Sequence, residues 1–108
     1  KMSNYTKEES ERKILALLGF AQKAGKLVSG DDLVIAALVK NRAKTIFMAE
    51  DCGENTKKRL NDVLNRQNIP CYIWGKKALL GHAIGKSPRS AVAFTDEGFA
   101  KAVRKIIE

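Results

Sequence analysis

The amino-acid sequence predicts a single α/β domain in which helices cover both faces of a mostly parallel, four-stranded sheet. Segments of helical periodicity alternate with short apolar runs along the chain, and a strand–helix–strand connection usually leaves its two strands parallel. The length of 108 residues fits one domain. No internal repeat or linker divides the chain, so residues 1–108 are expected to form one unit.

The N-terminal part predicts a helix preceded by a flexible segment. Residues 1–9 are polar and are expected to be flexible. A helix is predicted over residues 8–24, because its apolar positions recur at helical spacing, at Ile14, Leu17, Leu18 and Ala21. Gly25 ends this helix.

The next segment predicts a short strand and a second helix. Residues 26–29 are extended, and Gly30 forms the turn that follows. Asp31 and Asp32 are good helix-start residues, because a carboxylate accepts hydrogen bonds from free backbone N–H groups. The helix should run to about Lys40.

The middle of the chain predicts two further strands around a third helix. Residues 45–49 lack alternation, which is typical of a central strand covered on both faces. A polar turn over residues 50–55 leads into a helix that ends near Asn68, before Pro70. Residues 71–74 form the next strand.

The C-terminal part predicts a short helix, a strand and a final helix. The short helix runs through Ile84 and stops at Gly85. A polar loop over residues 86–90 leads into a strand over residues 91–94. Asp96 caps the last helix, whose apolar residues again recur at helical spacing, at Phe99, Val103 and Ile106.

Charge favours a polyanionic partner. Lysine and arginine number 20 against 12 acidic residues, a net charge of +8, so the surface attracts nucleic acid. Positive charge alone does not establish nucleic-acid binding, because many basic proteins have no specific nucleic-acid partner.

Catalytic and metal-binding patterns are absent from the sequence. The only histidine, His82, has no nucleophile signature beside it, and Glu50-Asp51 is too small a cluster for a metal site. Cys52 and Cys71 are isolated and are expected to be buried, reduced thiols. No glycine-rich phosphate loop and no apolar run of membrane-spanning length is present. A cytoplasmic, monomeric protein without enzymatic activity, metal or cofactor is expected.

Glycine-containing turns beside charged residues follow the predicted strands. In parallel sheets ligands gather beyond the carboxyl ends of strands, so these turns are expected to form one RNA-binding surface. There lysines can neutralise phosphates, the Gly30 turn can approach a phosphate, and an indole can stack on a base. The predicted RNA-binding residues are Lys26, Gly30, Asp31, Asp32, Lys40, Trp74, Gly75, Lys76, Lys77, Lys86 and Arg89.

Structural roles are alternatives for several of these residues. Asp31 and Asp32 could accept hydrogen bonds from base amino groups or merely cap the second helix, and the two roles are compatible. Trp74 could pack in the core, and the lysines could be ordinary solvated charge.

Short motifs in a specific order resemble a known family. They are the segments at residues 18–30 (LGFAQKAGKLVSG), 49–51 (AED), 80–85 (LGHAIG) and 91–93 (AVA). Over residues 14–107 the chain resembles the kink-turn-binding ribosomal-protein superfamily of the archaeal "seven-Ae" protein and its "thirty-e" relatives. Within it, residues 54–58 (ENTKK) are most similar to the bacterial YlxQ-type branch.

The resemblance implies an α/β/α sandwich with a mixed, mostly parallel sheet that binds structured RNA without catalysis. Its RNA-reading elements would fall on residues 30–40 and 74–77. Kink-turn binders typically carry an Asn-Glu pair and a lysine one turn later, where this chain has Asp32, Leu33 and Ala36.

Two functional hypotheses follow. The first is an accessory protein that recognises a folded ribosomal or other noncoding RNA, including a kink-turn-like one. The second is a protein-interaction module of the same fold that docks on a ribosomal or transcriptional protein, motivated by Leu33 on the helix that would face RNA.

Overall fold

The computed structural model describes residues 4–108, which form five helices and four strands. In chain order they are α1 (Lys7–Lys23), β1 (Leu27–Ser29), α2 (Asp31–Val39), β2 (Thr45–Met48), α3 (Glu54–Leu64), β3 (Cys71–Ile73), α4 (Lys77–Ala83), β4 (Ala91–Phe94) and α5 (Glu97–Ile107). This is the predicted order of elements. Helix α3 is shorter than expected, because Arg66 and Gln67 continue it only as tight turns bonded to the carbonyls three residues earlier.

The first helix begins within the segment that was expected to be flexible. Thr6 caps α1, since its hydroxyl accepts from the Glu9 N–H while the Glu9 carboxylate accepts from the Thr6 N–H. Residues 7–9 are therefore helical, which corrects the expectation of a flexible segment over residues 1–9. Residues 1–3 of that segment lie outside the described residues.

The sheet is mixed, and its strand order is β1-β4-β2-β3. Strand β4 lies between β1 and β2 and is antiparallel to both, and only β2 and β3 form a parallel pair. The prediction of a mostly parallel sheet was therefore wrong for neighbouring pairs, although β1, β2 and β3 point in one direction. The rule that a strand–helix–strand connection leaves its strands parallel fails for β3–α4–β4, because the chain after α4 turns back to the end of the sheet where β3 terminates, where the Arg89 N–H donates to the Lys77 carbonyl.

Helices cover both faces of the sheet, as predicted. Helices α1, α4 and α5 pack together on one face, and α2 and α3 pack on the other. The two interior strands, β2 and β4, are fully buried, and Phe47 and Phe94 meet edge to face at 5.7 Å between them. The predicted central position of β2 is confirmed.

Strand direction places the loops at two ends of the domain. The carboxyl ends of β1, β2 and β3 and the amino end of β4 share one end of the sheet. The amino ends of β1 and β2 and the carboxyl end of β4 share the other, where the Lys44 N–H donates to the Phe94 carbonyl and the Thr95 N–H to the Lys26 carbonyl. Candidate residues must therefore be assigned to one end or the other.

Candidate nucleic-acid interface

Four of the predicted turns meet at the end of the sheet where β1, β2 and β3 terminate. Backbone hydrogen bonds join them: Gly30 N–H to the Ala91 carbonyl at 2.9 Å, Ala49 N–H to Ser90 at 2.8 Å, and Glu50 N–H to Gly75 at 2.7 Å. We call this region the strand-end surface and define it as residues 30–32, 50–53, 74–77 and 86–90. Nine of the eleven predicted RNA-binding residues lie within it.

The turn before α2 depends on a glycine. Gly30 has φ +90° and ψ 150°, a conformation that is essentially restricted to glycine. A Cβ at this position would meet no atom within 4 Å, so backbone conformation rather than space requires glycine here.

The two aspartates after Gly30 are tied to helix α3. The Asp31 carboxylate accepts from Thr56 Oγ1 at 2.9 Å and lies 3.6 Å from Arg59. The hydrogen bond from Thr56, helped by the Arg59 charge, lowers the pKa of Asp31 below its ordinary value. Asp32, whose side chain is 88% exposed, accepts from Arg59 at 2.9 Å. Gly30 is the N-cap residue of α2, and no side chain accepts at that position.

Helix α4 begins on the acidic β2–α3 loop. The Lys77 N–H donates to the Asp51 carboxylate at 2.8 Å, which satisfies one free donor at the helix start. Lys76 lies 3.6 Å from Glu50, in an exposed ion pair. Acids of this loop therefore fix the backbone at Lys77 and partly compensate the charge of Lys76.

Trp74 belongs largely to the core. Its ring stacks on Phe47, with centroids 5.4 Å apart and planes inclined by 29°. The side chain is half-buried and packs against the central hydrophobic cluster. This packing supports the structural alternative for Trp74 over the base-stacking one.

The loop over residues 84–90 lies directly on α4 at Gly81. A Cβ added to Gly81 would lie 2.1 Å from the Ser87 carbonyl oxygen and 2.9 Å from that of Lys86. The loop is held there by bonds from the Lys86 N–H to Gly81 at 2.8 Å and from the Arg89 N–H to Lys77 at 3.0 Å. Only glycine permits this approach, which is the structural reason for the glycine at position 81 of the segment over residues 80–85.

Arg89 holds this loop against strand β1. Its guanidinium donates to Ser29 Oγ at 3.1 Å and to Ser87 Oγ at 2.7 Å. Because these bonds occupy two sides of the guanidinium, Arg89 positions the loop. Lys86, by contrast, is exposed and has no ion pair among the described residues.

Lys26 and Lys40 do not lie on the strand-end surface. Lys26 precedes β1 and Lys40 follows α2, so strand direction places both at the opposite end of the sheet. They line a groove of about 510 Å³ between α2 and β1, together with Arg42 and Lys44. We call this the α2–β1 groove. The expectation of one surface is corrected for these two lysines.

Three basic residues near these surfaces were not among the predicted RNA-binding residues: Arg59 on α3, and Arg42 and Lys44 in the α2–β1 groove. Arg59 lies one turn after Thr56 on α3, but its pairing with residues 27 and 28 positions earlier is a long-range contact without a local sequence signal. Arg42 and Lys44 could have been found, because basic residues alternate from Lys40 to Lys44.

Other chemistry is sparse in residues 4–108. Among them, no three His, Cys, Asp or Glu side chains are grouped closely enough to hold a metal ion. Cys52 is buried as expected and Cys71 is half-buried; burial raises the pKa of both thiols. In the same range, no helix has the length and apolar character needed to cross a membrane.

Comparison with known proteins gives consistent matches over most of the chain. The sequence model of the ribosomal protein L7Ae/L30e/S12e/Gadd45 family matches residues 12–104. The chain is 39% identical to "RNA-binding protein YlxQ" of Enterococcus faecium, covering 94% of this chain and 97% of that protein. It is 41% identical to the protein of the same name from Bacillus subtilis, covering 85% and 92%. A solved structure of a protein of unknown function from Bacillus halodurans C is 34% identical, covers 88% of this chain and 96% of that chain, and has a TM-score of 0.82.

Proposed function

The chain belongs to the ribosomal protein L7Ae/L30e/S12e/Gadd45 family, and on that premise we propose that it is a non-catalytic protein that binds folded RNA. The observation that carries the proposal is its similarity, over nearly its whole length, to two bacterial proteins named as RNA-binding. The strand-end surface is the proposed contact surface. Its target is a structured ribosomal or other noncoding RNA.

The first turn of α2 supports an anionic ligand. Among the described residues, no acceptor is found for the N–H groups of Asp32 and Leu33, and the N-cap residue Gly30 has no side chain to supply one. Free N–H groups at a helix start bind phosphate oxygens and carbonyl groups. Arg59 holds the Asp31 and Asp32 carboxylates toward α3, so it reduces their repulsion of an approaching phosphate.

The loop over residues 84–90 supports recognition of shape. Its backbone is fixed by the contact with Gly81 and by the bonds of Arg89, and it is bound directly to the end of β1. A preformed loop loses less conformational entropy on binding than a mobile one. Lys86 at its tip can supply a phosphate contact, and the loop backbone can follow the surface of a folded RNA.

A kink-turn is the first RNA to test, and the residues of α2 predict a reduced preference for it. Asp32 has a carboxylate, which is only an acceptor, where family members typically have an amide, and exposed Leu33 cannot hydrogen-bond. Asp32→Asn is therefore expected to improve affinity for a kink-turn, because it restores a donor and removes a negative charge.

The experiment is a titration of a labelled kink-turn RNA, the same RNA with its sheared G·A pairs disrupted, and bulk cellular RNA, each at two salt concentrations. Tighter binding to the intact kink-turn would assign the family's specificity to this chain. Equal, salt-sensitive binding to all three would indicate another structured target. No binding to any of them, even at about 50 mM salt, would refute RNA binding.

A second candidate function is docking on a ribosomal or transcriptional protein. The observation that favours it is the exposure of two large apolar side chains on α2, Leu33 at 60% and Val39 at 63%. In a pull-down, Leu33→Ser should then abolish recovery of a protein partner that the unaltered protein still retains after ribonuclease treatment. Loss of every partner on ribonuclease treatment would refute this candidate.

A further inference from the structure

We propose that the α2–β1 groove is a second binding site for the phosphate backbone of the RNA that the strand-end surface contacts. Lys26, Lys40, Arg42 and Lys44 all line the groove. This inference rests on the proposed function and adds a site at the opposite end of the sheet. Its ligand is the RNA backbone, which carries no base identity.

The charges of the groove are uncompensated. Its lining contains no acidic residue, and within residues 4–108 none of its four cations takes part in an ion pair. The neighbouring Asp96 is engaged, because it caps α5 by accepting from the Phe99 N–H. Four cations converging on one concave surface produce a local field that attracts a polyanion.

The strand-end surface differs in this respect. There Lys76 is paired with Glu50 and the Arg89 guanidinium is hydrogen-bonded within the loop, while Arg59 of the adjacent α3 is paired with Asp31 and Asp32. Pairing with an acid lowers the gain from a phosphate contact, since the phosphate must compete with a carboxylate for the same cation. Within residues 4–108, the groove therefore has four cations that make no ion pair or side-chain hydrogen bond, against two, Lys77 and Lys86, on the strand-end surface.

The geometry allows one RNA to reach both sites. Helix α2 has nine residues and joins the Gly30 turn to Lys40, a distance of roughly 13 Å at 1.5 Å per residue. One strand that follows α2 can therefore place phosphates at both ends of the helix. Leu33 and Val28 line the groove between the two ends and offer an apolar wall for ribose.

The nature of the lining favours RNA over a protein segment. A peptide ligand would need several acidic residues to match the four cations, with an apolar anchor at Leu33, which is 60% exposed and so forms no enclosed pocket. A phosphate backbone supplies regularly spaced negative charges and needs no such pocket.

The test removes two groove charges and compares the result with a matched removal elsewhere. Lys40→Gln with Arg42→Gln alters exposed side chains of the groove. Lys101→Gln with Lys105→Gln removes the same charge from exposed positions of α5, on the other face of the sheet. Thermal melts first check that both variants fold, and each is then titrated with the labelled kink-turn RNA at several salt concentrations.

Each lost phosphate contact lowers the slope of log affinity against log salt concentration by about 0.7 to 0.9, and the groove variant loses two such contacts. Its affinity should therefore be about 25- to 60-fold weaker at about 0.1 M salt. Its slope should flatten by about 1.5, whereas the α5 variant should lose less than about threefold in affinity and keep its slope. Equal, small losses in both variants would overturn the groove site and leave the proposed function standing. Failure of the unaltered protein to bind both the kink-turn RNA and bulk cellular RNA would overturn both.

A second titration, with a peptide, tests whether the groove binds a protein segment instead of RNA. A labelled peptide that alternates acidic residues with leucine is titrated against the unaltered protein and the groove variant. Absence of binding agrees with the phosphate site. Peptide binding that the groove variant loses, combined with unchanged RNA binding, would assign the groove to a protein segment and overturn the proposal.

Discussion

Gly81→Ala should displace the loop over residues 84–90 and weaken RNA binding without unfolding the domain. The added Cβ would lie 2.1 Å from the Ser87 carbonyl oxygen, so the loop must move by about 1.3 Å to reach an ordinary contact of 3.4 Å. Overpacking of this kind costs about 1–3 kcal/mol. Alanine is better than glycine inside a helix by about 1 kcal/mol, so the net destabilisation should be about 0–2 kcal/mol.

Gly19→Ala is the matched control, because Gly19 is also helical and its Cβ would lie 3.4 Å from the Ala83 carbonyl oxygen. That substitution should be neutral or up to about 1 kcal/mol stabilising. Urea melts followed by circular dichroism measure both changes, and amide NMR shifts should locate the disturbance of Gly81→Ala in residues 86–90. If Gly81→Ala gains as much stability as Gly19→Ala and leaves the loop amides and RNA affinity unchanged, the steric argument is wrong.

Three further predictions concern stability. Asp31→Asn should make the free energy of unfolding fall less steeply at acid pH. Folding lowers the pKa of the Asp31 carboxyl. The ionised carboxylate therefore contributes fully to stability above its ordinary pKa, and that contribution is lost as the pH falls through the lowered pKa. Urea midpoints from about pH 6 to about pH 2 measure this, and an unchanged limb would count against it. Burial and the Glu108 hydrogen bond raise the pKa of Tyr72 to about 12. The neutral Tyr72 side chain therefore contributes fully to stability below its ordinary pKa of 10.0, and that contribution is lost as the pH rises toward about 12. NMR titration should show the raised pKa, and Glu108→Gln should lower it. Gly30→Ala should cost about 1–3 kcal/mol in urea melts because φ is +90°, whereas Gly53→Ala, which also adds its methyl group in open space but at φ −65°, should not.

Local sequence signals predicted the elements well, because each depends on a few neighbouring residues. Asp96 caps α5 as predicted, and Gly25, with φ +70°, follows the end of α1. The run at residues 45–49 lacked alternation, and β2 is indeed buried on both faces. The insertion of β4 between β1 and β2 was not predictable in this way, since pairing across the sheet depends on contacts between distant segments.

The candidate site was predictable to the extent that it follows from strand direction. The turns after Ser29, Met48 and Ile73 share one end because their strands run the same way. The same reasoning, applied to residues before a strand, would have placed Lys26 at the other end. The pairing of Arg59 with Asp31 was beyond local reasoning, because it depends on how α3 packs against α2.

Charge and shape are separated in this molecule, and the separation has a consequence for how it would discriminate among RNAs. Lys76 of the strand-end surface and Arg59 beside it are paired with acids, so recognition there would rest mainly on backbone N–H groups and on the loop fixed by Gly81, with one phosphate contact from Lys86. The backbone contacts read shape and contribute little salt dependence, and Lys86 adds the salt dependence of about one phosphate contact. The α2–β1 groove would contribute attraction to any phosphate backbone, with a steep salt dependence. Groove variants should therefore weaken all RNAs alike and flatten the salt dependence by about two phosphate contacts, whereas Gly81→Ala should reduce the preference for the folded target and flatten it by at most one. A Gly81→Ala protein that lost as much salt dependence as the groove variant would show that the loop and the groove do not act separately.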